Sequence, residues 1–447
     1  MSEKWTELID LLNEKRFVEL KERLNESNEV DIADFFSELP LDQATKLFRM
    51  LKKDKATDVF ACLDVDKQQH IISAATDKEL VDLISDLFVD DIVDMMEELP
   101  ATVVRRILET ATSETRKTIN QYLNYPENSA GSIMTAELMN LKHSFTVREA
   151  FARIREKCSE KEDVYTCFVT DENRVLQGVV TVKQMLMARD DDLIGDIMTE
   201  NFVSAVTTDD REHVVELIKK YGLLSLPVVD KESRLVGIIT VDDAVDILTQ
   251  EATEDITLMA AVSPSEKPYL KSGVVFLARN RIVWLLVLML SSTLTGIILS
   301  NYEAAFAAVP LLVTFIPMLT DTGGNAGSQS SALIIRGLAL GEIKMSDFFA
   351  VVWKEARVSL LVGVALSTVN YFRILIMYPD KAPVAFVVAL SLLATVIIAK
   401  VIGGILPLFA KLIRTDPAIM AAPLITTIVD ALSLVIYFGI ASSLLKI

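Results

Sequence analysis

The sequence predicts a multidomain protein with an all-α superhelical N-domain, a tandem pair of α/β modules, a connecting helix and a five-helix transmembrane domain. Three observations support this prediction. Acidic side chains are concentrated in residues 1–268, internal repeats divide that half in two, and five long apolar stretches follow residue 270. The expected domain boundaries are 1–128, 129–250, 251–270 and 271–447.

The distribution of charge separates the two halves of the chain. Residues 1–268 contain 54 acidic and 31 basic side chains, whereas residues 269–447 contain 8 acidic and 13 basic ones. The acidic half has no basic face with which to bind phosphates, which argues against a nucleic-acid partner. Its regularly spaced apolar residues argue against a disordered tail, and the division itself argues against a single globular enzyme.

Residues 1–128 contain a repeat that is typical of stacked helices. Ala33–Leu39, Thr57–Leu63 and Val81–Leu87 follow one another at intervals of 24 residues, and Val93–Leu99 repeats the pattern after 12 more. Short helices that cannot bury an apolar face alone stack against their neighbours. We therefore expect helical hairpins stacked into a small superhelix that serves as a scaffold.

A second, weaker repeat covers residues 130–250. Ile133–Thr135 recurs as Ile197–Thr199, and Phe168–Thr181 recurs as Val228–Thr240. Each copy has the pattern of helix, strand, turn, strand and helix. The pair resembles tandem cystathionine-beta-synthase (CBS) modules, which are regulatory.

CBS modules often bind adenine nucleotides through a Ser/Thr-x-x-Asp sequence at the start of the last helix. The second copy has this sequence as Thr240 and Asp243, whereas the first copy has Thr181 and Gln184 and lacks the acid. The resemblance therefore implies at most one ATP site per chain, with Thr240 and Asp243 in it. The alternative is a module that binds no nucleotide.

Carboxylates are crowded where the second module continues into the connecting segment. Six of them lie between positions 242 and 255: Asp242, Asp243, Asp246, Glu251, Glu254 and Asp255. Their position between the modules and the membrane half favours an ion-sensing role. A solvated acidic face is the alternative.

Five apolar stretches are long enough to cross a bilayer, which takes about 20 apolar residues. They are Ile282–Tyr302, Ala304–Ile335, Val358 to about residue 378, Ala382 to about residue 410, and Pro417–Leu445. With the N-terminal half in the cytoplasm, nine Lys and Arg residues flank the inner ends and three flank the outer ends, in agreement with the positive-inside rule. The prediction is a multi-pass protein of the cell (inner) membrane, without a signal peptide and with its C-terminus outside.

Asp430 lies near the middle of the last stretch, where a carboxylate costs about 2.5–3.5 kcal/mol to insert. Thr426 and Thr427 precede it by four and three residues and share its helical face. Pro423 frees a backbone carbonyl nearby. This face of hard oxygen ligands predicts a cation site, while the alternative is a buried ion pair between Asp430 and Lys400.

The second stretch contains Pro317 and three glycines around Asn325 and Gln329. These residues indicate a broken or closely packed helix, because irregular backbone at membrane depth is tolerated only against protein or a wet cavity. Asn325 and Gln329 lie four residues apart and are candidates to hydrogen-bond a hydrated ion. The alternative is GxxxG packing through Gly323 and Gly327, which is compatible with a pore-lining role.

The order of these parts, with GGNxGxQ in the second span and PLITTxxD in the last, resembles the MgtE family of magnesium channels over nearly the whole chain. The resemblance implies a homodimeric Mg²⁺-selective channel in the lipid membrane that cytosolic Mg²⁺ closes. Its pore would lie between the second and fifth spans at the dimer axis. The family's pore carboxylate falls on Asp430, and a second acidic pore position falls on Asp416.

The resemblance also implies Mg²⁺-sensing acids between the superhelix, the CBS pair and the connecting helix. They fall on Asp58, Asp90, Asp94, Glu212, Asp243, Asp246, Glu251, Glu254 and Asp255. Asp91 is the alternative to Asp90, because the alignment of the superhelix can shift by one residue. Gly222 stands where some relatives are expected to have an acid, so the sensor shell near Glu212 is expected to be incomplete.

Two other functions fit the same features. An H⁺- or Na⁺-coupled carrier of divalent cations would use Asp430 as its coupling carboxylate. A receptor or scaffold would sense nucleotide through the CBS pair without transport. The apolar stretches contain neither Cys nor His, which argues against soft metals. An enzyme is not expected, because the sequence has no Walker loop and no Ser/His/Asp arrangement.

Overall fold

The computed structural model describes residues 5–158, 161–265, 269–270, 272–420 and 422–446, apart from the side chains of residues 97, 98, 114, 304–306 and 422. The chain divides into two compact units, residues 1–248 and residues 249–447. Short helices and two small sheets form the described part of the first unit. Long helices form the described part of the second.

Ten short helices occupy the described part of the segment 1–128. They are α1 (Thr6–Asn13), α2 (Phe17–Glu26), α3 (Glu29–Ser37), α4 (Leu41–Phe48), α5 (Lys53–Ala61), α6 (Val65–Ala74), α7 (Asp77–Asp86), α8 (Val89–Glu98), α9 (Ala101–Thr110) and α10 (Ser113–Tyr122). The first three copies of the repeat begin in α3, α5 and α7, which are alternate helices, and the fourth copy begins in α8. α3 packs on α5, and α5 packs on α7.

Helix α7 shows why these segments fold as short helices. Thr76 and Glu79 form a reciprocal capping box that satisfies backbone N–H groups at its start. Leu80, Leu83 and Ile84, one turn apart, are buried against neighbouring helices. An apolar stripe of this width stabilises a short helix only when another helix covers it. The stacking of hairpins agrees with the expectation, while the superhelical course stays a prediction.

Residues 130–250 form two similar modules. The first contains β1 (Leu138–Lys142), α11 (Val147–Lys157), β2 (Asp163–Thr170), β3 (Leu176–Thr181), α12 (Val182–Met187) and α13 (Ile194–Ile197). The second contains β4 (Ala205–Val206), α14 (Arg211–Tyr221), β5 (Ser225–Val229), β6 (Leu235–Thr240) and α15 (Val241–Met259). In each sheet the first strand is parallel to the second, and the second is antiparallel to the third. The predicted order of elements is present, with one additional strand ahead of the first helix.

The two modules exchange their leading segments. Thr135, the last residue of the first Ile-Met-Thr motif, bonds reciprocally through its backbone with Ile238 of β6, at 2.8 Å in both directions. Thr199, the last residue of the second motif, bonds in the same way with Val179 of β3, at 2.8 and 3.1 Å. The repeated Ile-Met-Thr motif is therefore the segment that each module contributes to the other.

The second unit begins within α15 and continues with long helices. They are α16 (Val274–Asn301), α18 (Ile316–Ala339), α19 (Phe348–Met377), α20 (Ala382–Leu412) and α21 (Ala422–Leu445), with a short α17 (Glu303–Ala308) and 3-10 helices at Pro310–Phe315, Met345–Asp347 and Pro417–Met420. Among the described residues, four segments are long and apolar enough to cross a membrane: Val274–Asn301, Met345–Met377, Ala382–Leu412 and Pro417–Leu445. Helix α18 is not one of them, because its Gly, Asn, Ser and Gln residues lower its hydropathy. The count of five spans therefore stays a prediction.

Helix α18 is continuous and closely packed, and not broken. Pro317 stands in its first turn, where the missing N–H costs no helical hydrogen bond. A Cβ added to Gly403 of α20 would collide with the carbonyl of Gly327, and one added to Gly324 would lie 2.9 Å from Cγ2 of Thr426. Only glycine allows α18 to lie this close to α20 and α21.

Helix α20 is the centre of the second unit. It packs on α18, α19 and α21, and its buried residues run along most of its length. Helix α16, by contrast, has no buried residue among its 28 residues, all of which the structure describes. It packs on α21, with Ile298 and Leu299 against the core of the second unit, but most of its apolar side chains are exposed. Exposed apolar side chains in this number require lipid or another protein surface to cover them.

Candidate functional site

Five carboxylates from four segments of the first unit lie close enough to affect one another electrostatically. Asp90 and Asp91 stand in the first turn of α8, Glu137 follows the first Ile-Met-Thr motif, Glu162 precedes β2, and Asp243 stands in the first turn of α15. Burial and then the neighbouring acids raise the pKa of Asp90 to about 8, that of Asp91 to about 6 and that of Glu162 to about 7. Burial also raises the pKa of Asp243. We refer to this set as the five-carboxylate group.

The five-carboxylate group includes a buried acceptor oxygen that receives no hydrogen bond from the described residues. Oδ1 of Asp90 is buried and has no hydrogen-bond partner among the described residues. Thr240 donates to Oδ2 of Asp243 at 2.5 Å, and Thr135 donates to Oε2 of Glu137 at 2.8 Å. Unpaired oxygens and mutual repulsion both favour a bound cation or a bound proton.

The side chains of the five-carboxylate group do not form a complete coordination shell for a metal ion. Within the part of the chain that the structure describes, no three His, Cys, Asp or Glu side chains are already arranged to hold a metal ion. The five-carboxylate group therefore has hard oxygen ligands of the type that Mg²⁺ prefers, but not its octahedral geometry. A cation that binds here has to draw the segments closer or keep part of its water.

The structure brings together some of the predicted sensor acids and adds others. Asp90 and Asp243 belong to the same group, and Asp91 joins Asp90 instead of replacing it. Asp246 is close enough for its charge to act on Asp243. Asp94 lies one turn further along α8. Glu137 and Glu162 were not predicted; the position of Glu137 directly after a repeated motif is the signal that could have identified it.

Asp58 and Glu212 lie outside the five-carboxylate group. Burial, and then the charge of Glu29, raises the pKa of Asp58, with Lys55 opposing the shift. Glu212 stands exposed in the first turn of α14. At the other end of α14, Gly222 ends the helix in the left-handed conformation, with φ of 61°. That helix end favours glycine, which gives a structural reason for the residue that stands where an acid was expected.

A second acidic group lies where the connecting segment meets the membrane helices. Helix α15 continues without a break through residue 250, and its last turn contains Leu258 and Met259, which pack against Ile335 and Ala418. Burial raises the pKa of Asp255 to about 6, and the charges of Asp416, Glu251 and Glu254 add to the shift.

Asp416 caps the segment that enters α21. Its Oδ1 accepts the backbone N–H of Ala418 at 2.7 Å. The predicted sensor acid Asp255 and the predicted pore acid Asp416 therefore lie within electrostatic reach of each other in one unit. Neighbouring carboxylates of this kind repel unless a cation or a proton separates their charges.

Polar side chains form one face of α18. Asp321, Asn325 and Gln329 recur every four residues and are all exposed, whereas the glycines between them are buried against α20 and α21. The charge of Asp321 acts on the half-buried Asp430 of α21. Neither carboxylate has an ion-pair or hydrogen-bond partner among the described residues. Asp321 is not among the predicted site residues, although its spacing from Asn325 and Gln329 is visible in the sequence.

The hydroxyls near Asp430 and the side chain of Lys400 are engaged elsewhere. Thr426 and Thr427 both donate to the carbonyl of Pro423, at 3.0 Å each. Lys400 donates to Ser330 at 3.4 Å and makes no ion pair with Asp430. The alternative of a buried pair between Asp430 and Lys400 is therefore not what the structure contains. Asp430 is left as an uncompensated carboxylate beside an exposed polar face.

The observed architecture is that of a membrane transport protein: an acidic helical domain and a pair of α/β modules precede a bundle of apolar helices with an internal carboxylate. Comparison with known proteins agrees with this class. Family models match residues 316–440 ("Divalent cation transporter"), 27–128 ("MgtE intracellular N domain"), and 130–191 and 194–250 ("CBS domain").

Two relatives and one solved structure extend the comparison. The magnesium transporter MgtE of Thermus thermophilus is 36% identical over 76% of this chain and 76% of its own length, and that of Bacillus subtilis is 34% identical over 75% and 74%. A structure described as the cytosolic domain of the Mg²⁺ channel MgtE in complex with ATP is 30% identical, with a TM-score of 0.51 over 54% of this chain and 98% of its own. The chain belongs to the MgtE family.

Proposed function

We propose that the chain is a homodimeric Mg²⁺-selective channel that mediates magnesium uptake and that cytosolic Mg²⁺ closes. The observation that supports this most directly is the exposed polar face of α18 beside Asp430. Supporting evidence comes from relatives that are named magnesium transporters. The proposal includes α18 as a membrane span, which gives five spans and a C-terminus outside the cell.

The polar face of α18 requires something other than lipid to cover it. An exposed carboxylate costs about 2.5–3.5 kcal/mol at the bilayer centre, and an amide without partners adds to that cost. Water in a pore between two copies of α18 removes the cost, because the same face then meets its symmetry mate across a two-fold axis. Asp321, Asn325, Gln329 and Asp430 are the side chains that would line such a pore.

The chemistry of this face fits a hydrated divalent cation. Mg²⁺ prefers oxygen ligands and gives up its water reluctantly, so it is bound through one or two carboxylates with several waters retained. Asp430 from each subunit could hold such an ion without a complete protein shell. Weak outer contacts also allow the ion to leave, which conduction requires.

The two acidic groups fit a role in closure. Within each group the carboxylates lie close enough to repel one another, so the compact arrangement costs free energy while they are ionised. Mg²⁺ removes that cost and favours the arrangement in which the carboxylates are close. An ion shifts such an equilibrium only by its difference in affinity between the two states, and the five-carboxylate group supplies that difference.

ATP is proposed as a ligand of the second CBS module. Thr240 directly precedes α15 and donates to Asp243, so the two residues of the Ser/Thr-x-x-Asp sequence lie together at the start of this helix. A relative's cytosolic domain is described as a complex with ATP. Because Asp243 also belongs to the five-carboxylate group, nucleotide at this position would act on the same helix that responds to Mg²⁺.

Flux measurements on the full chain in liposomes test the proposal. The parent protein should admit Mg²⁺ along its own electrochemical gradient, and Asp430→Asn should reduce that flux and its selectivity over Ca²⁺. Asp380→Asn, an exposed acid between α19 and α20, is the matched control. Flux that follows an imposed H⁺ or Na⁺ gradient would show a coupled carrier instead. Absence of Mg²⁺ flux from correctly folded parent protein would show a receptor or scaffold.

A further inference from the structure

Three polar side chains meet inside the helical bundle, away from the face that carries Asn325 and Gln329. Ser330 of α18 donates to Oε2 of Glu355 on α19 at 2.6 Å, and Nζ of Lys400 on α20 donates to Oγ of Ser330 at 3.4 Å. All three are buried, with exposed fractions of 1%, 8% and 6%. We refer to this network as the Ser330 bridge.

The backbones of the three helices approach closely at the level of the Ser330 bridge. A Cβ on Gly403 would collide with the carbonyl of Gly327, and one on Gly404 would lie 3.2 Å from Cγ of Glu355. Two successive glycines of α20 therefore make room for α18 on one side and for α19 on the other. The bridge is built into the tightest part of the bundle and is not an incidental surface contact.

Charges at this depth need an explanation. Glu355 and Lys400 are linked through Ser330 and do not form a direct ion pair. Burying charged groups is expensive, and apolar side chains of similar size often give equal or greater stability. Intramembrane ionisable residues mark functional sites by default. The two hydrogen bonds through Ser330 contribute orientation, because they form in only one arrangement of the helices.

The rotation of α18 is what the Ser330 bridge determines. The Ser330 hydroxyl accepts from Lys400 and donates to Glu355, so both bonds form only when Ser330 faces between α19 and α20. Gln329 is one residue away, about 100° around the helix, and therefore faces outward. The adjacent Ser331 donates to the carbonyl of Met420 at 3.0 Å, which ties α18 to the segment that enters α21.

We propose that Glu355 and Lys400 are positioning residues for permeation: through Ser330 they fix the rotation of α18 and keep Asn325 and Gln329 toward the ion path. This inference rests on the proposed function, because it assigns the exposed face of α18 to a pore. It adds a role for two charged residues that do not touch the ion.

A charge-pair series on the full chain tests the inference. The variants are Glu355→Gln, Lys400→Gln and the double variant Glu355→Gln/Lys400→Gln, with Lys354→Gln, an exposed neighbour on α19, as the matched control. Two quantities are measured: the unfolding temperature in detergent, and the ratio of Mg²⁺ to Ca²⁺ uptake into liposomes per folded protein. Each single variant leaves one buried charge unpaired, and should lower the unfolding temperature by about 6–20 °C.

The uptake ratio separates positioning from simple stability. Each single variant should change the ratio by about tenfold, and the double variant should restore both the ratio and the unfolding temperature to within about threefold and about 5 °C of the parent. Single variants that unfold earlier but keep the parent's ratio would overturn the inference. Additive losses in the double variant would overturn it as well. Failure of the proposed function is distinguishable, because the parent and Lys354→Gln would then show no Mg²⁺ uptake.

Discussion

Replacing Asp90 with Asn should stabilise the first unit at neutral pH, contrary to the usual effect of changing a buried residue. The pKa of Asp90 rises from 3.8 to about 8 in the folded chain, mainly through burial. Between about pH 4 and pH 8 the folded state therefore retains a proton that the unfolded state has lost. Stability falls across this window as pH rises, because the folded state binds more protons than the unfolded state.

The size of the effect follows from the same shift. At about 1.4 kcal/mol per pKa unit, the penalty reaches about 4 kcal/mol at pH 7. Asn has nearly the same shape and no titratable proton, so Asp90→Asn removes the penalty. For a unit of this size the gain corresponds to about 8–16 °C in unfolding temperature. Near pH 4 the parent and the variant should differ little.

Thermal unfolding of the full chain in detergent, measured from about pH 4 to about pH 8.5, checks this prediction. Glu232→Gln, an exposed acid in the turn between β5 and β6, is the control and should leave the pH dependence unchanged. Added Mg²⁺ should raise the unfolding temperature of the parent more than that of Asp90→Asn. A variant that unfolds earlier than the parent at pH 7, with the same pH dependence, would refute the reasoning.

Three further predictions concern the second unit. Replacing Glu254 and Asp255 together with Ala should leave Mg²⁺ flux at high internal Mg²⁺, because the ion then lacks ligands opposite Asp416; normal inhibition in liposomes would contradict this. Asp321→Asn should raise the Mg²⁺ concentration for half-maximal uptake by about threefold to tenfold, since it removes one charge from the pore face; an unchanged value would exclude Asp321 from the ion path. Gly403→Ala should destabilise the bundle by about 1–3 kcal/mol through overpacking, whereas Gly439→Ala, with open space at its Cβ, should not; equal unfolding temperatures would show that the helices yield freely.

The sequence predicted elements whose signals are local or repeated. The repeat period placed α3, α5 and α7, and the Ile-Met-Thr repeat separated the two modules. Strand β1 was missed, because Leu138–Lys142 is short and its apolar residues do not alternate strictly. The exchange of leading segments was also missed, since no residue pattern shows which strand a leading segment will pair with.

The site residues also divide into those with a local signal in the sequence and those that only the fold brings together. Asp430 could be found from the cost of one carboxylate in an apolar span, which a single sequence shows. Glu162 could not, because it joins Asp90 only after the modules fold against α8 and bring distant segments together. Glu137 had a local signal in its position after a repeated motif, but only the fold shows that it lies near Asp90. For Lys400, opposite charge alone suggested an ion pair with Asp430. In the structure, close packing at Gly403 and Gly404 brings Lys400 to Ser330 instead.

The reciprocal pairing of Thr135 with Ile238 and of Thr199 with Val179 makes the two modules one folding unit. Separating the chain between them would leave β3 and β6 each with an unpaired edge, which invites association with other chains. A ligand that tightens one sheet also holds the first residues of the other copy, so the pair responds to it as a single body.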